Sequence, residues 1–373
     1  MAKKTRRPEE EKELQEELSS LAIEDDPDVY DDAASEESET RAFSISSYGA
    51  DYSVDMLVKR MRTGAFYKPD FQRAFVWNQR QASRFIESLL MGLPVPGIFM
   101  FKDPDSAKHL IVDGQQRLKT LQLFYDGTFR ERKFRLLDVA ERWEGSTYTD
   151  LDTDDRQRLD DSIIHTTIFK QDQPEDDKSS VYEVFERINT GGVKLSAQEI
   201  RACVSHGRLI EVLRELNNYE PWRSVYGRQS DRLKDQELLL RFFALANNAD
   251  HYKRPMRRFL NNFLDENENL TLQKEKAFRA SFKTAIDLVA EALGAEAFRP
   301  EKQLNTAVFD AVMVGLSRRI SANPKKPTVA AFKRAYLKLL ENERFRIAYL
   351  RATADEEQVK SRLKLATESF SDI

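Results

Sequence analysis

The sequence holds a single cysteine, Cys203, in 373 residues. That excludes an internal disulfide and any zinc site built on a cysteine cluster. Cys203 follows Ile200 on an apolar helical stretch, so a buried thiol is expected rather than a nucleophile. Glycine and proline are few, 13 and 12, which rules out a collagen-like or low-complexity chain. The longest nearly apolar run, Gly92 to Phe101, is about half of the roughly 20 residues needed to span a bilayer. The first residues, MAKKTRRPEEEKE, lack the apolar stretch of a secretory signal. A soluble, cytoplasmic protein with no membrane partner is expected. Histidine is scarce too. His109, His165, His206 and His251 stand apart, without the neighbours of a histidine-metal nuclease core. No G-x-x-x-x-G-K-[ST], G-x-G-x-x-G or H-E-x-x-H motif occurs.

What is present suffices for a packed core: 40% of residues are hydrophobic, and 33% are charged. At roughly 150 residues per domain, two or three domains are expected. The net charge of −4 hides an asymmetry. Residues 1–40 hold 15 Asp/Glu and 5 Lys/Arg, and the remainder holds 48 and 54. The body is mildly basic, which is compatible with nucleic-acid contact and equally with an ordinary mixed surface.

Residues 1–42 read as a disordered acidic tail, because they cannot bury enough apolar surface to offset chain entropy. Residues 43–178 read as an α+β domain and residues 179–373 as an all-helical one. Val54, Leu57, Val58 and Met61 have helical spacing, and Gly64 stops that helix. Asn78 with Gln81 forms a capping-box pattern. The stripe Ala82, Phe85, Ile86, Leu89 and Leu90 follows it. Strands are expected at 98–101, 109–112, 129–136 and 163–169. Ser196 with Glu199 opens a further helix as a second capping box. Later helices are expected at 206–218, 233–247, 255–265, 273–293, 302–320, 327–340 and 355–366.

Three segments could carry chemistry. The first is His109-Leu-Ile-Val-Asp-Gly-Gln-Gln-Arg117, a strand running through a glycine into a helix. A helix start presents unpaired N–H groups and a positive dipole end, a ready anion site. Gly114 lets the backbone turn or approach a ligand. Gln115 and Gln116 can donate or accept. Arg117 can grip a phosphate, and Asp113 can hold Mg²⁺ through water or act as a base. The plain alternative makes Asp113 an N-cap and Arg117 a solvated surface residue. The second segment is Pro69-Asp-Phe-Gln-Arg-Ala-Phe-Val-Trp77. Its Gln72 and Arg73 stand between aromatics that either stack on bases or simply alternate inward. In the third, Phe185-Glu-Arg-Ile-Asn-Thr-Gly-Gly192, Arg187 and Asn189 project from a helix stop, toward a pocket or toward water.

Together these segments resemble the N-terminal domain of GmrSD-type restriction endonucleases, a ParB/sulfiredoxin-like family with an Asp-Gly-Gln-Gln-Arg signature. The matching residues are Pro69-x-x-Gln72-Arg73-x-x-x-Trp77, the intact 113–117 signature, and Phe185-x-Arg187-x-Asn189-x-x-Gly192 leading to Leu195 and Glu199. The segments around 234–243 and 256–263 add to a likeness over residues 50–320. The resemblance implies a ParB-like fold that binds and hydrolyses nucleoside triphosphates and senses foreign or modified DNA. Asp113, Gln116 and Arg117 would act on the nucleotide. Gln72, Arg73, Gly114, Gln115, Arg187 and Asn189 would bind it, and Mg²⁺ would sit at Asp113. The His-Asn-His nuclease domain of restriction members is not found in this sequence, so cutting would need a partner, and a separate nuclease or methylase is the partner expected. A DNA-binding adaptor without turnover and a ParB-like nuclease using the same pocket are the other readings.

Overall fold

The strand order β1-β7-β3-β4-β2 of the main sheet mixes parallel and antiparallel neighbours. The structure, a computed structural model, describes residues 44–68, 75–103, 108–173, 179–188, 196–205, 207–323 and 325–373. The acidic segment 1–42 lies outside them. The sheet uses β1 (Ser44–Ser53), β2 (Phe66–Tyr67), β3 (Ile98–Lys102), β4 (His109–Asp113) and β7 (Ile163–Gln173). β1 lies antiparallel on β7, β7 parallel to β3, β3 antiparallel to β4, and β4 parallel to β2. A separate hairpin pairs β5 (Thr128–Phe129) with β6 (Arg132–Lys133). The single strand expected over 129–136 is thus a pair of two-residue strands. Arg130, at φ 55°, turns the chain between them.

Helices α1 (Val54–Arg62), α2 (Gln79–Leu90) and α3 (Gln115–Tyr125) pack on one face of the sheet. Their apolar stripes meet Ile98, Met100, Ile111, Ile164 and Ile168 from the strands. The expected stripe of α2 is buried at all five positions. Each large apolar side chain buried there contributes about 1.5–3 kcal/mol. Asn78 caps α2 as expected: its side chain accepts from Gln81 N–H at 2.9 Å, and Gln81 Oε1 accepts from Asn78 N–H at 3.0 Å. A short helix, α4 (Thr153–Asp161), precedes β7.

The other face is covered near Phe101, Leu110, Val112 and Phe169 by α5 (Ser179–Ile188) and α6 (Ala197–Val204). Val181, Tyr182, Phe185, Ile200 and Cys203 supply the contact. The unit built on the sheet therefore runs past residue 178. It comprises residues 44–240 and Asn261–Lys276, and Arg241–Leu260 with Ala277–Ile373 forms a second unit. Buried Arg201 shows why the first unit reaches so far: it donates to Asn261 Oδ1 at 2.7 Å and to Glu237 Oε2 at 2.9 Å.

The remaining helices are α7 (Arg208–Asn217), α8 (Glu220–Tyr226), α9 (Lys234–Asn248), α10 (Met256–Glu266), α11 (Leu272–Leu293), α12 (Thr306–Ala322), α13 (Val329–Glu341), α14 (Glu343–Leu350) and α15 (Glu356–Phe370). In the second unit α12 lies against α15. A Cβ on Gly315 would stand 2.9 Å from the carbonyl carbon of Ala366, so only glycine permits this approach. Asp310 of α12 is fully buried and accepts from Arg241 at 2.7 Å and Arg362 at 3.3 Å. The overall class is α+β, with a mixed sheet toward the amino end and helices through the carboxy-terminal half, as expected.

Candidate functional site

Strand β4 ends at Asp113, and α3 begins two residues later. Gly114 makes the turn at φ 91° and serves as the N-cap residue of α3, with no side-chain cap. A Cβ there would lie 2.9 Å from Ile98 Cγ1 and 3.2 Å from Arg117 Nη2. Both the left-handed backbone and the space demand glycine. Asp113 is not the cap. Its Oδ2 accepts from Arg117 Nη2 at 2.6 Å, since one helical turn brings Arg117 back over the strand end. The same Nη2 donates to the Gly97 carbonyl at 2.9 Å. Arg117 is therefore no solvated surface residue: its side chain is only 15% exposed, against 41% for Asp113.

Among the described residues, two buried polar atoms of this turn have no hydrogen-bond partner, Arg117 Nε and Gln115 Oε1. They lie at the start of α3, where the helix dipole is positive and the first N–H groups have no intrahelical acceptor. Gln116 looks the other way. Its Oε1 accepts from Val76 N–H at 3.1 Å and, at the limit, from Trp77 N–H at 3.5 Å. It ties the segment entering α2 to the start of α3.

The structure thus joins Asp113, Gly114, Gln115 and Arg117 in one cluster, with Gln116 on its flank. Arg187 stands in the last turn of α5 with its side chain 78% exposed. Its Nε donates to Glu183 Oε1 at 2.8 Å, and among the described residues no contact links it to the cluster. Gln72, Arg73 and Asn189 lie outside the described residues. Gly97, which receives the Arg117 guanidinium, went unread in the sequence. Its position after Pro94-Val-Pro96 at a strand entry was the available signal.

Gly97 also connects this end of the sheet to a second polar pair. A Cβ on it would lie 2.9 Å from the His165 carbonyl oxygen. The His165 imidazole, on β7, meets Asp51 of β1 directly across the pair, Nδ1 to Oδ1 2.8 Å. Both side chains are exposed.

Chemically, the turn offers a fixed guanidinium, a helix start and one carboxylate already engaged by that guanidinium. Among the described residues no three His, Cys, Asp or Glu side chains converge as metal ligands. A caged metal does not fit this donor set. An Mg²⁺ ion that brings phosphate oxygens with it does, because such ions take one or two carboxylates and keep the rest of their shell.

Residues 54–204 match the family model of the GmrSD restriction endonuclease, N-terminal domain. No curated protein matches the chain. The segment that carries Asp113, Arg117 and Arg187 is thus similar to the N-terminal domain of a restriction-type endonuclease family.

Proposed function

We propose that the chain binds and hydrolyses a nucleoside triphosphate at the 113–117 turn and couples this to contact with DNA, in defence against foreign DNA. The observation that carries the reading is the half-buried, pre-oriented Arg117. Asp113 and Gly97 hold its Nη2, while its Nε has no acceptor. A phosphate oxygen is an acceptor suited to the guanidinium Nε that lacks one among the described residues. The start of α3 adds N–H donors and the positive end of its dipole. Gln115 Oε1, buried without a donor, suits a ligand N–H or hydroxyl.

Arg117 and the helix start would stabilise the charge that develops on the transferred phosphoryl group, and their fixed positions avoid reorganisation during reaction. Mg²⁺, when bound, would neutralise phosphate charge, with Asp113 as its protein ligand. Gln116 would act through position, by holding the 76–77 backbone beside the turn. Strand cutting is assigned to a separate nuclease partner.

The test is turnover of the four ribonucleoside triphosphates by the purified chain, with and without duplex DNA, alongside Arg117→Ala. A drop of about 10²–10³ in turnover is expected from loss of such a donor. Equal turnover in the variant removes Arg117 from this role. One observation favours a second reading, a DNA-binding adaptor: the only carboxylate of the turn is already taken by Arg117. Salt-dependent DNA binding with no turnover of any nucleotide would select it.

A further inference from the structure

At the end of β4 away from Asp113, His109 pairs with Phe66 of β2 on one side and Lys102 of β3 on the other. Its ring meets Phe66 edge-on, with centroids 5.5 Å apart. Phe66 in turn meets Tyr52 of β1 at 5.3 Å. The sheet curls until side chains from its two outer strands touch. Arg60, from α1, lays its guanidinium over both rings, 5.4 Å from Tyr52 and 5.3 Å from Phe66.

Lys102 is exposed, and Arg60 and His109 are half-buried. Among the described residues neither Arg60 nor Lys102 has a carboxylate partner, and Arg60 Nε and His109 Nδ1 are buried without a hydrogen bond. Asp103, next along the chain, acts on the Tyr67 hydroxyl. The local field is positive. Burial first, then Lys102 and Arg60, hold the His109 imidazole below its ordinary value. Two cations without a carboxylate partner among the described residues, beside an imidazole whose charged form they disfavour, are a cost to the fold that an anion would relieve.

We infer that Arg60, Lys102 and His109 form a phosphate-binding site, distinct from the 113–117 turn. Lys102 supplies a mobile charge. Arg60 Nε and, in the tautomer that carries its proton there, His109 Nδ1 supply directed donors. The aromatic floor fixes Arg60, so little side-chain freedom is lost on binding. The inference rests on the reading above only for which phosphate arrives, that of a nucleic-acid backbone or of a free nucleotide.

The test is equilibrium binding of duplex DNA and, separately, of ATP by the full chain, by Lys102→Glu and by Arg60→Met. Lys364→Glu serves as a control; Lys364 pairs with Glu368 at 3.8 Å in the helical unit. Each site variant is expected to weaken one ligand about five- to tenfold, while the control changes binding less than about twofold. If the ligand is DNA, the slope of log affinity against log salt falls by about one. Weakening of DNA alone identifies backbone phosphate, and weakening of ATP alone identifies the nucleotide. Unchanged binding in both site variants overturns the inference. So does equal weakening in the control, and so does an unaltered chain that binds neither ligand. Absence of NTP turnover would count against the function proposed above and leaves this binding result standing.

Discussion

Arg117 Nη2 lies 2.6 Å from Asp113 Oδ2, and the two residues are joined by the left-handed Gly114 that separates strand from helix. The carboxylate therefore positions the guanidinium before any ligand arrives. Asp113→Asn keeps the size and removes the charge. Because the pair is part-exposed, the stability cost should be small, about 1 kcal/mol or less. Nucleotide affinity should fall by a larger factor than stability, read by comparing ligand titration with urea unfolding. Proportionate loss of both would make the pair purely structural.

Gly114→Ala should be costly for two reasons. The residue sits at φ 91°, and its new Cβ would be 2.9 Å from Ile98 Cγ1. The left-handed backbone alone costs about 1–2 kcal/mol, and the contact adds to it. Chemical unfolding of the variant should show at least that loss. A midpoint equal to the unaltered chain would mean that the turn relaxes freely.

Asp310 pairs with both Arg241 and Arg362, and all three side chains are buried. Asp310→Asn removes the negative charge that these two buried guanidinium groups share. A loss of about 3–5 kcal/mol is expected, as for breaking a buried ion pair. Far-UV dichroism during denaturant titration would register it. A change under about 1 kcal/mol would show that water or rearrangement compensates.

His109 sets a pH dependence of known sign. Burial, Lys102 and Arg60 all disfavour its charged form, so the unfolded chain takes up the proton more readily than the folded one. Stability is then intact above the free-histidine value of about 6.5 and is lost as pH falls through and below it. His109→Gln should lose less stability than the unaltered chain between neutral and mildly acidic buffer. Parallel declines in the two proteins would assign the pH dependence to other groups.

Much of the fold was legible because local chemistry and global packing agree. Asn78 with Gln81, and Ser196 with Glu199, announce helices that the structure caps in that way. The 98–101 and 109–112 strands are short apolar runs that end as expected. β1 was hard to see. SISSYGADYS has serine, glycine and aspartate at most positions, since an edge strand with largely exposed side chains needs no apolar alternation. α4 was missed for a similar reason. Its apolar anchor is Leu159, and its start relies on Asp152 accepting from Asp155 N–H. At the site, the glycine turn and helix start could be read. The Arg117 back-bond to Asp113 and Gly97 could not, because Gly97 is distant in sequence and reaches the site through the strand order.

The extent of the family match does not coincide with the extent of a portable piece. A recombinant fragment trimmed to residues 54–204 would discard all of β1. The outer edge of β7 would then be bare over the ten register positions from Ser44 to Ser53, an open template for other chains. At the other end it would keep Arg201 and delete both Glu237 and Asn261, exposing a guanidinium that the intact chain seals. Protein made for crystallisation or assay should therefore start no later than residue 44 and keep the carboxy-terminal half as well, because Arg241–Leu260 of the second unit lies in sequence between the two stretches of the sheet-bearing one.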